Sequence, residues 1–412
     1  MVPVTTLQGL EPDELVRRIG RRDVVVWGSG DIGLDVLTSL RGAGVSVRAL
    51  LHTRAGGEVY GLPVLAAAEV LDCRSGSERP FVVIATAQYR LSAEAACLGS
   101  GMCKGSDFVD YLAIRRPVGV VELVGPDRAG SVPTMPFAVF REVFEKMRRE
   151  QPQLCHVELA WLGDPLGHPE LPEIVAYCER FVPCTVSTTL DTPADIAGVV
   201  AAAPSRFNVV VYGFGESFGR GRAKCSWKVF QDNLAALKSA IPAARGRTRF
   251  TLRYLRTRRE PKENIEYWQK LLGDGGIALA VDTPYPFPYD HLLARCERHS
   301  VAWHAESLIA DLPWNIGLAL SLAYTDRDNA CLSQRLFPVV GHDLSVGGCH
   351  LYEGATLAPN YLENSWEELL RLRRESVQCR RCQIHGLHRL DLPVLSRRFP
   401  GEKDKLFSVD EN

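Results

Sequence analysis

Four cysteines in the last quarter of the chain have the residue type and the spacing of metal ligands. Cys331 is followed after 17 residues by Cys349, after 29 more by Cys379, and after two more by Cys382. Two distant cysteines and a tight Cys-x2-Cys pair can meet as a tetrahedral ligand set or around a cubane cluster. We predict one metal centre at these four residues, either a [4Fe–4S] cluster or Zn²⁺.

A local zinc site is an alternative for the same segment. Cys379, Cys382, His385 and His388 follow one another at three-residue intervals, and thiolate with imidazole is a common zinc ligand set. This alternative leaves Cys331 and Cys349 outside the site. A tail without any metal is the remaining alternative.

The segment His156–Leu166 resembles the second barrel strand and the Gly-Glu-Pro-type turn of the radical S-adenosylmethionine superfamily. The resemblance covers about residues 117–300. It implies a barrel in which a turn binds the amino group of S-adenosylmethionine. The residues that it identifies as cofactor-binding are Gly163, Asp164, Pro165 and Leu166. Asp164 stands where the family has Glu, so the carboxylate is kept but reaches one methylene less far.

The same resemblance places a Cys-x3-Cys-x2-Cys loop after the first barrel strand, and this chain lacks it. The predicted strand Val118–Val124 is followed by GPDRAGSVPTMP, which contains no Cys, no His and no cluster of acids. Reductive cleavage of the cofactor needs an iron with an open position, which three thiolates supply in the family. We therefore expect no conventional radical chemistry.

The tail resembles the SPASM/twitch extension of the same superfamily. Asp343–Cys349 and the Cys-x2-Cys pair carry this resemblance. It implies one auxiliary [4Fe–4S] cluster, because no cysteine follows Cys382 to build a second. With four thiolates on the cluster, no iron is left open, which favours a structural or electron-transfer role.

A glycine-rich turn, Gly28-x-Gly30-x-x-Gly33, lies between a predicted strand and a predicted helix. Such a turn lets a phosphate approach the backbone at a helix N-terminus. NAD binding also needs an acid after the second strand, where this chain has Arg54 instead, which leaves NADP as an option. Residues 20–112 resemble Rossmann-like modules of bacterial sugar acetyltransferases, which implies nucleotide-sugar binding at these glycines. A scaffold without a nucleotide is the alternative.

Three residues near the ends of predicted barrel strands are weaker catalytic candidates, because barrel enzymes place their chemistry at strand C-termini. Arg253 belongs to a local basic run and could bind phosphate or carboxylate bidentately. Ordinary capping and packing are the alternative for each residue. The three candidates are Tyr212, Arg253 and Asp282.

The elements that position these residues alternate between strand and helix, which indicates α/β folding with parallel sheets. We predict a Rossmann-like domain over residues 1–115, a partial (β/α)6 barrel over 116–300 and a small metal-binding domain over 301–412, where the periodic pattern loosens. The predicted barrel strands are Val118–Val124, Cys155–Leu162, Cys184–Thr189, Phe207–Tyr212, Phe250–Leu255 and Ile277–Val281.

Composition limits the partners. The 412 residues carry a formal net charge of −1, which gives no general attraction to nucleic acid or to an anionic membrane. No apolar run spans a bilayer, and we identify no signal peptide, so we expect a cytoplasmic protein.

The function predicted from these features is a non-radical enzyme acting on a sugar, a nucleotide sugar or a related small polar metabolite. One auxiliary Fe–S cluster would accompany it, and S-adenosylmethionine is a candidate cofactor. Two alternatives remain open: a catalytically silent scaffold that orients a partner enzyme, and an electron-transfer protein that uses the cluster.

Overall fold

Two sheets built mainly of parallel strands form the core, which confirms the α/β class. The described residues divide into two units, residues 1–118 with 147–156, and residues 119–146 with 157–412. Domain boundaries near residues 115 and 300 stay a prediction. The computed structural model describes residues 12–72, 79–86, 89–114, 117–125, 132–160, 162–213, 226–244, 246–258, 263–282, 284, 288–299, 309–328, 331, 339–353, 356–390, 395 and 399–407.

The first unit contains a six-stranded sheet. Its strands are β1 (Val24–Trp27), β2 (Val47–His52), β3 (Glu58–Val59), β4 (Leu62–Ala66), β5 (Phe81–Ile84) and β6 (Phe108–Asp110), and its helices are α1 (Pro12–Ile19), α2 (Asp31–Gly42), α3 (Ala67–Leu71) and α4 (Arg90–Gly99). The order is β3-β4-β2-β1-β5-β6, and only the β3–β4 pair is antiparallel among these strands.

Strand β1 lies at the centre of this sheet and is buried on both faces. Val26 packs with Leu37 of α2, whereas Val25 packs on the opposite face with Cys97 of α4. A strand covered on both sides reads as a continuous apolar run, which is why the sequence identified it.

The second sheet has nine strands in the order β12-β11-β10-β9-β8-β7-β13-β14-β15. They are β7 (Val118–Val121), β8 (His156–Glu158), β9 (Cys184–Thr188), β10 (Arg206–Val211), β11 (Arg249–Leu255), β12 (Ile277–Asp282), β13 (Val339–Val340), β14 (Val346–Gly347) and β15 (Thr356–Ala358). The six strands β7 to β12 follow one another in chain order, as in the predicted partial barrel.

The helices of this part connect the strands or form the tail. They are α5 (Phe137–Glu150), α6 (Leu171–Cys178), α7 (Ile196–Ala201), α8 (Trp227–Ala240), α9 (Glu263–Leu272), α10 (Asp290–Cys296), α11 (Ile316–Thr325), α12 (Trp366–Glu375), α13 (Val377–Ile384) and α14 (Lys403–Phe407). Short 3-10 turns cover Tyr111–Ala113, Pro165–Gly167, Ile241–Ala244, Tyr361–Glu363, Leu387–Arg389 and Pro400–Glu402. Among the described residues, no helix is both long and apolar enough to cross a membrane.

Strand β11 shows how side chains of the second sheet alternate between its two faces. In β11, Phe250, Leu252 and Tyr254 are buried, and Tyr254 lies 6.2 Å from the ring of Trp268 in α9. Successive side chains alternate between faces, so Arg253 belongs to the face away from this helix.

The tail continues this sheet. Its first strand, β13, pairs in parallel with β7, and β14 and β15 then add antiparallel strands. The loosened sequence pattern predicted no strands here, because strands of two or three residues are too short to show a periodicity. Because β13 and β7 run in the same direction, the residues that follow β13 lie beside the residues that follow β7.

Candidate functional site

The four cysteines predicted as metal ligands meet at one cavity. Cys331, Cys349, Cys379 and Cys382 all line it, although they come from separate parts of the tail. The cavity contains about 410 Å³ of empty space when its open mouth is included. The structure therefore brings the whole predicted ligand set together.

Local structure explains how two of these thiols share one side. Cys379 and Cys382 lie three positions apart in α13, and residues at this spacing occupy one helix face. The helix begins after Ser376, whose hydroxyl oxygen accepts a hydrogen bond from the Cys379 N–H at 3.4 Å. Cys349 reaches the cavity from the segment just after β14.

Burial controls the ionisation of the thiols. It raises the pKa of Cys382 above the ordinary value; the Tyr352 hydroxyl lowers this pKa, and the thiols of Cys331, Cys349 and Cys379 raise it further. The thiols must lose their protons to bind a metal, so binding releases protons and becomes tighter as the pH rises.

The kind of metal centre, a [4Fe–4S] cluster or Zn²⁺, stays a prediction. Among the described residues, no group of three or more His, Cys, Asp or Glu side chains is arranged to hold one metal ion. Zinc requires four sulfurs at about 2.3 Å from one centre, whereas each thiolate of a [4Fe–4S] cluster binds a different iron.

The two histidines of the local zinc alternative lie in different places. His388 lines the cavity and is buried. His385 lies 3.8 Å from the Glu297 carboxylate and is not among the residues lining the cavity. The Cys379–Cys382–His385–His388 set is therefore not gathered at one point in the described structure.

The turn at Gly163–Leu166 follows β8, and its backbone closely approaches the residues that follow β7. A methyl group added to Gly163 would lie 1.9 Å from the carbonyl oxygen of Val124. Pro165 and Leu166 are buried within the 3-10 turn that follows. The glycine is thus required by the packing of the turn, whatever the turn binds.

Asp164 joins this turn to the end of β9. Its Oδ1 accepts from the Leu166 N–H at 3.0 Å, and its Oδ2 accepts from the Thr188 hydroxyl at 2.7 Å and the Thr189 N–H at 2.9 Å. The Thr189 hydroxyl lies 3.0 Å from the same oxygen. Burial raises the pKa of Asp164, and these four donors act in the opposite direction. A carboxylate accepts about four hydrogen bonds. Donors of the protein itself take at least three of these positions on Asp164, because the one proton of the Thr189 hydroxyl can instead go to Asp191 Oδ1, which lies 2.7 Å away.

A glutamate and a histidine meet where the first barrel strand ends, and the sequence analysis did not identify either. His342 Nδ1 lies 3.1 Å from Glu122 Oε2, and the other oxygen of Glu122 accepts from the Leu162 N–H at 3.2 Å. Glu122 follows β7 and His342 follows β13, so the parallel pairing of these strands brings the two side chains together.

Backbone packing holds the His342 ring in place. A methyl group added to Gly125 would lie 2.3 Å from the imidazole Cε1, so the ring occupies the space that a side chain would take. The Glu122 side chain is 4% exposed and that of His342 is 18% exposed. The carboxylate is thus buried behind a histidine that solvent can still reach.

The sequence contained only a weak signal for this pair. Glu122 is the one charged residue within the apolar run Val118–Val124, which is unusual for a buried strand. His342 lies 220 positions away and has no distinctive neighbours. Only the strand pairing shows that the two belong together.

Polar side chains also connect three adjacent barrel strands. The Ser187 hydroxyl donates to Glu158 Oε1 at 2.5 Å, and the Asn208 amide lies 3.5 Å from the same hydroxyl. These residues belong to β8, β9 and β10, and all three are only partly buried. The row offers donors and acceptors for hydroxyl groups of a ligand.

The weaker catalytic candidates occupy strand ends, as predicted from their positions. Arg253 Nε lies 2.5 Å from Asp282 Oδ2, which pairs two of the three residues across β11 and β12. The Arg253 side chain is 47% exposed. Tyr212 directly follows β10 and is half-buried. A catalytic role for these three residues stays a prediction.

The glycine turn of the first unit is shaped by close packing. A methyl group on Gly28 would lie 2.5 Å from the Ala85 carbonyl oxygen, and one on Gly33 would lie 2.2 Å from the Gly28 carbonyl oxygen. Gly30 caps helix α2, whose first backbone bond runs from Leu34 to Gly30 at 3.0 Å. Nucleotide binding at Gly28, Gly30 and Gly33 stays a prediction.

No family model and no curated protein matches this chain. Among solved structures, it is similar to anSMEcpe with bound AdoMet, with 13% identity, 70% of this chain and 99% of that chain covered, and a TM-score of 0.40. It is also similar to SuiB of Streptococcus suis bound to S-adenosylmethionine, with 10% identity and a TM-score of 0.39. The match covers 66% of this chain and 69% of SuiB. The acetyltransferase domain of PglB from Neisseria gonorrhoeae matches with 14% identity and a TM-score of 0.19. This match covers 48% of this chain and 78% of that domain.

Proposed function

We propose that the protein is a non-radical enzyme acting on a sugar, a nucleotide sugar or a related small hydroxylated metabolite, with one [4Fe–4S] cluster in its tail. The observation that carries the enzymatic part is the Glu122–His342 pair. It stands at the end of the strand after which the radical superfamily has its three cysteines. A carboxylate and an imidazole supply acid–base chemistry but no ligand set for a reducing cluster.

The geometry of the pair suits proton transfer. The buried Glu122 carboxylate accepts a hydrogen bond from the Nδ1–H of His342 and fixes this tautomer, which leaves Nε2 of His342 as the base. The Leu162 N–H orients Glu122 through its second oxygen. When His342 takes a proton, the adjacent carboxylate stabilises the imidazolium, and the imidazolium can then act as the acid.

The polar row on the barrel strands supports the proposed substrate class. Glu158 accepts hydrogen bonds, whereas Ser187 and Asn208 both donate and accept them. Partly buried groups of this kind match the hydroxyls of a sugar, which also donate and accept. S-adenosylmethionine at the Gly163–Leu166 turn is a further prediction, which direct titration with the cofactor decides.

The residues of the cavity fit the cluster. Cys331, Cys349, Cys379 and Cys382 would hold it, and a cluster with four thiolates supplies stability or one-electron transfer. All four thiolates come from the tail, so the centre would order this part of the chain when it binds.

Two measurements test the proposal, one for the cluster and one for the enzymatic part. Anaerobic reconstitution should give about four irons and four sulfides per chain. Cys349→Ala should lose most of this iron, while Cys296→Ala should keep it, because Cys296 packs against the same core but does not line the cavity.

The enzymatic part is tested with nucleotide sugars and free sugars, with product formation followed by mass spectrometry. His342→Gln should lower the rate by about 10² or more. His299→Gln is the matched control, because His299 also faces a glutamate, Glu297 at 3.5 Å, but is 67% exposed. Production of 5′-deoxyadenosine from S-adenosylmethionine by the reconstituted protein would refute the non-radical assignment.

A further inference from the structure

The histidine of the proposed acid–base pair lies in a tight turn between two strands. Residues 341–345, which we call the histidine turn, connect β13 to β14. The Leu344 N–H donates to the Gly341 carbonyl at 2.9 Å, and this hydrogen bond closes a four-residue turn. His342 and Asp343 are therefore the two central residues of the turn.

The backbone of the histidine turn is strained at one residue. Leu344 has a φ of 70°, a left-handed conformation that hairpin loops usually assign to glycine. Strained residues persist only where the surrounding structure holds them, and they concentrate at functional sites. Here the Leu344 carbonyl accepts from the N–H of the buried Tyr361 at 2.8 Å. The turn is thus held by a neighbouring segment as well as by its own hydrogen bond.

Asp343 fixes the histidine turn from within. Its Oδ1 accepts from the Ser345 N–H at 3.0 Å. A methyl group added to Gly341 would lie 2.8 Å from the same oxygen, so the carboxylate packs against the first residue of the turn. An aspartate that accepts from the backbone two residues ahead stabilises a turn locally. The exposed Asp343 side chain therefore joins the start of the turn to its end.

The turn places the imidazole in a defined position. A methyl group added to Gly125 would lie 2.6 Å from each ring nitrogen of His342, so the ring lies against this glycine. Its Nδ1 lies 3.1 Å from the Glu122 carboxylate. The Glu122 N–H donates to the Val340 carbonyl at 2.9 Å, which connects the backbone of the carboxylate to the strand that leads into the turn.

We propose that Asp343 is a positioning residue for His342. By closing the turn, it keeps the imidazole in the one orientation and tautomer that proton transfer at Nε2 needs. A displacement of about 1 Å in a catalytic group can lower a rate by about 10²-fold. The catalytic consequence rests on the proposed function, whereas the fixed imidazole can be measured without any substrate.

The test is nuclear magnetic resonance of the full-length protein with ¹⁵N-labelled histidine, at a pH that keeps the imidazole neutral. The chain has ten histidines, and the spectrum of the His342→Gln variant identifies the signals of His342. The wild type should show the Nδ1–H tautomer alone. Asp343→Ala should show a mixture of both tautomers. Asp343→Asn should restore the single tautomer, because its amide oxygen can accept the same hydrogen bond.

Two further variants separate the shape of the turn from general stability. Leu344→Gly should keep the single tautomer, because glycine adopts a left-handed φ without strain. Asp195→Ala is the matched control, since Asp195 is also an exposed aspartate that accepts a backbone N–H, from Gly198 at 2.9 Å, but it caps α7. This control should leave the tautomer of His342 unchanged.

Kinetics with a substrate that the wild type converts give the second readout. Asp343→Ala should lower kcat by about tenfold or more at unchanged KM, because it misplaces the base without removing a substrate contact. Asp343→Asn should restore most of the rate, and Asp195→Ala should react like the wild type.

Two results would overturn the inference: a wild-type His342 that exchanges between tautomers, and a single tautomer retained in Asp343→Ala. Failure of the wild type to convert any sugar, with the tautomers as expected, refutes the proposed function instead. The two failures are therefore distinguishable.

Discussion

Replacing Gly163 with alanine should destabilise the second unit strongly. The added methyl would lie 1.9 Å from the carbonyl oxygen of Val124 and 2.7 Å from its carbonyl carbon. Both atoms belong to the backbone, so no side-chain rotation can relieve the contact. Either the turn or the end of the first barrel strand must move by about 1 Å or more to restore an ordinary van der Waals distance.

The expected cost is about 3 kcal/mol, at the upper end of the range for overpacking in a well-packed interior. Moving the turn also displaces Asp164 from the donors on Thr188 and Thr189, and hydrogen bonds to a charged group contribute about 1.5–3 kcal/mol each. Gly167→Ala is the matched control, because its methyl would lie 3.7 Å from a Val124 methyl, an ordinary contact. This control should stay within about 0.5 kcal/mol of the wild type.

Differential scanning calorimetry of the full chain measures the difference. At about 2–4 °C for each kcal/mol, Gly163→Ala should lower the transition of the affected unit by roughly 6–12 °C. Gly167→Ala should melt with the wild type. Equal transition temperatures for the two variants would show that the turn does not approach Val124 as closely as the structure has it.

Three further results are expected. Asp326→Asn should lower the free energy of unfolding in urea by about 3–5 kcal/mol, because it removes the carboxylate that lies 2.7 Å from the buried Arg389 guanidinium. An unchanged free energy of unfolding would contradict the buried ion pair. Cys97 is fully buried and burial raises the pKa of its thiol to about 11, so iodoacetamide at pH 8 should label exposed Cys103 and leave Cys97 unlabelled until the protein is unfolded. Mass spectrometry of the native and the unfolded protein measures this, and labelling of Cys97 in the native protein would contradict its burial. Removing iron with a chelator should lower the melting temperature of the reconstituted protein, since a ligand that binds only the folded state stabilises it, and an unchanged temperature would argue against a centre in the tail.

Several barrel strands were predicted well. The predicted strands Phe250–Leu255 and Ile277–Val281 each differ by one residue from β11 and β12. The predicted strand Cys184–Thr189 differs by one residue from β9. A strand pattern of five or more residues determines the local structure almost independently of the rest of the chain.

Strand ends were predicted less well. The segment Cys155–Leu162 is apolar enough to read as one strand, but β8 covers only His156–Glu158. The Leu162 N–H donates to the Glu122 carboxylate instead of continuing the sheet ladder. A hydrogen bond to a side chain 40 positions away leaves no trace in local hydrophobicity.

The sequence by itself determined the kinds of elements, the α/β class and the four thiols that could bind metal, because these depend on residue type and short-range periodicity. Only the tertiary structure decided which groups meet: the tail cysteines at one cavity, and Glu122 with His342 across neighbouring parallel strands. These contacts join residues that are far apart in the chain. Strand pairing and close packing create them, and both depend on the whole fold.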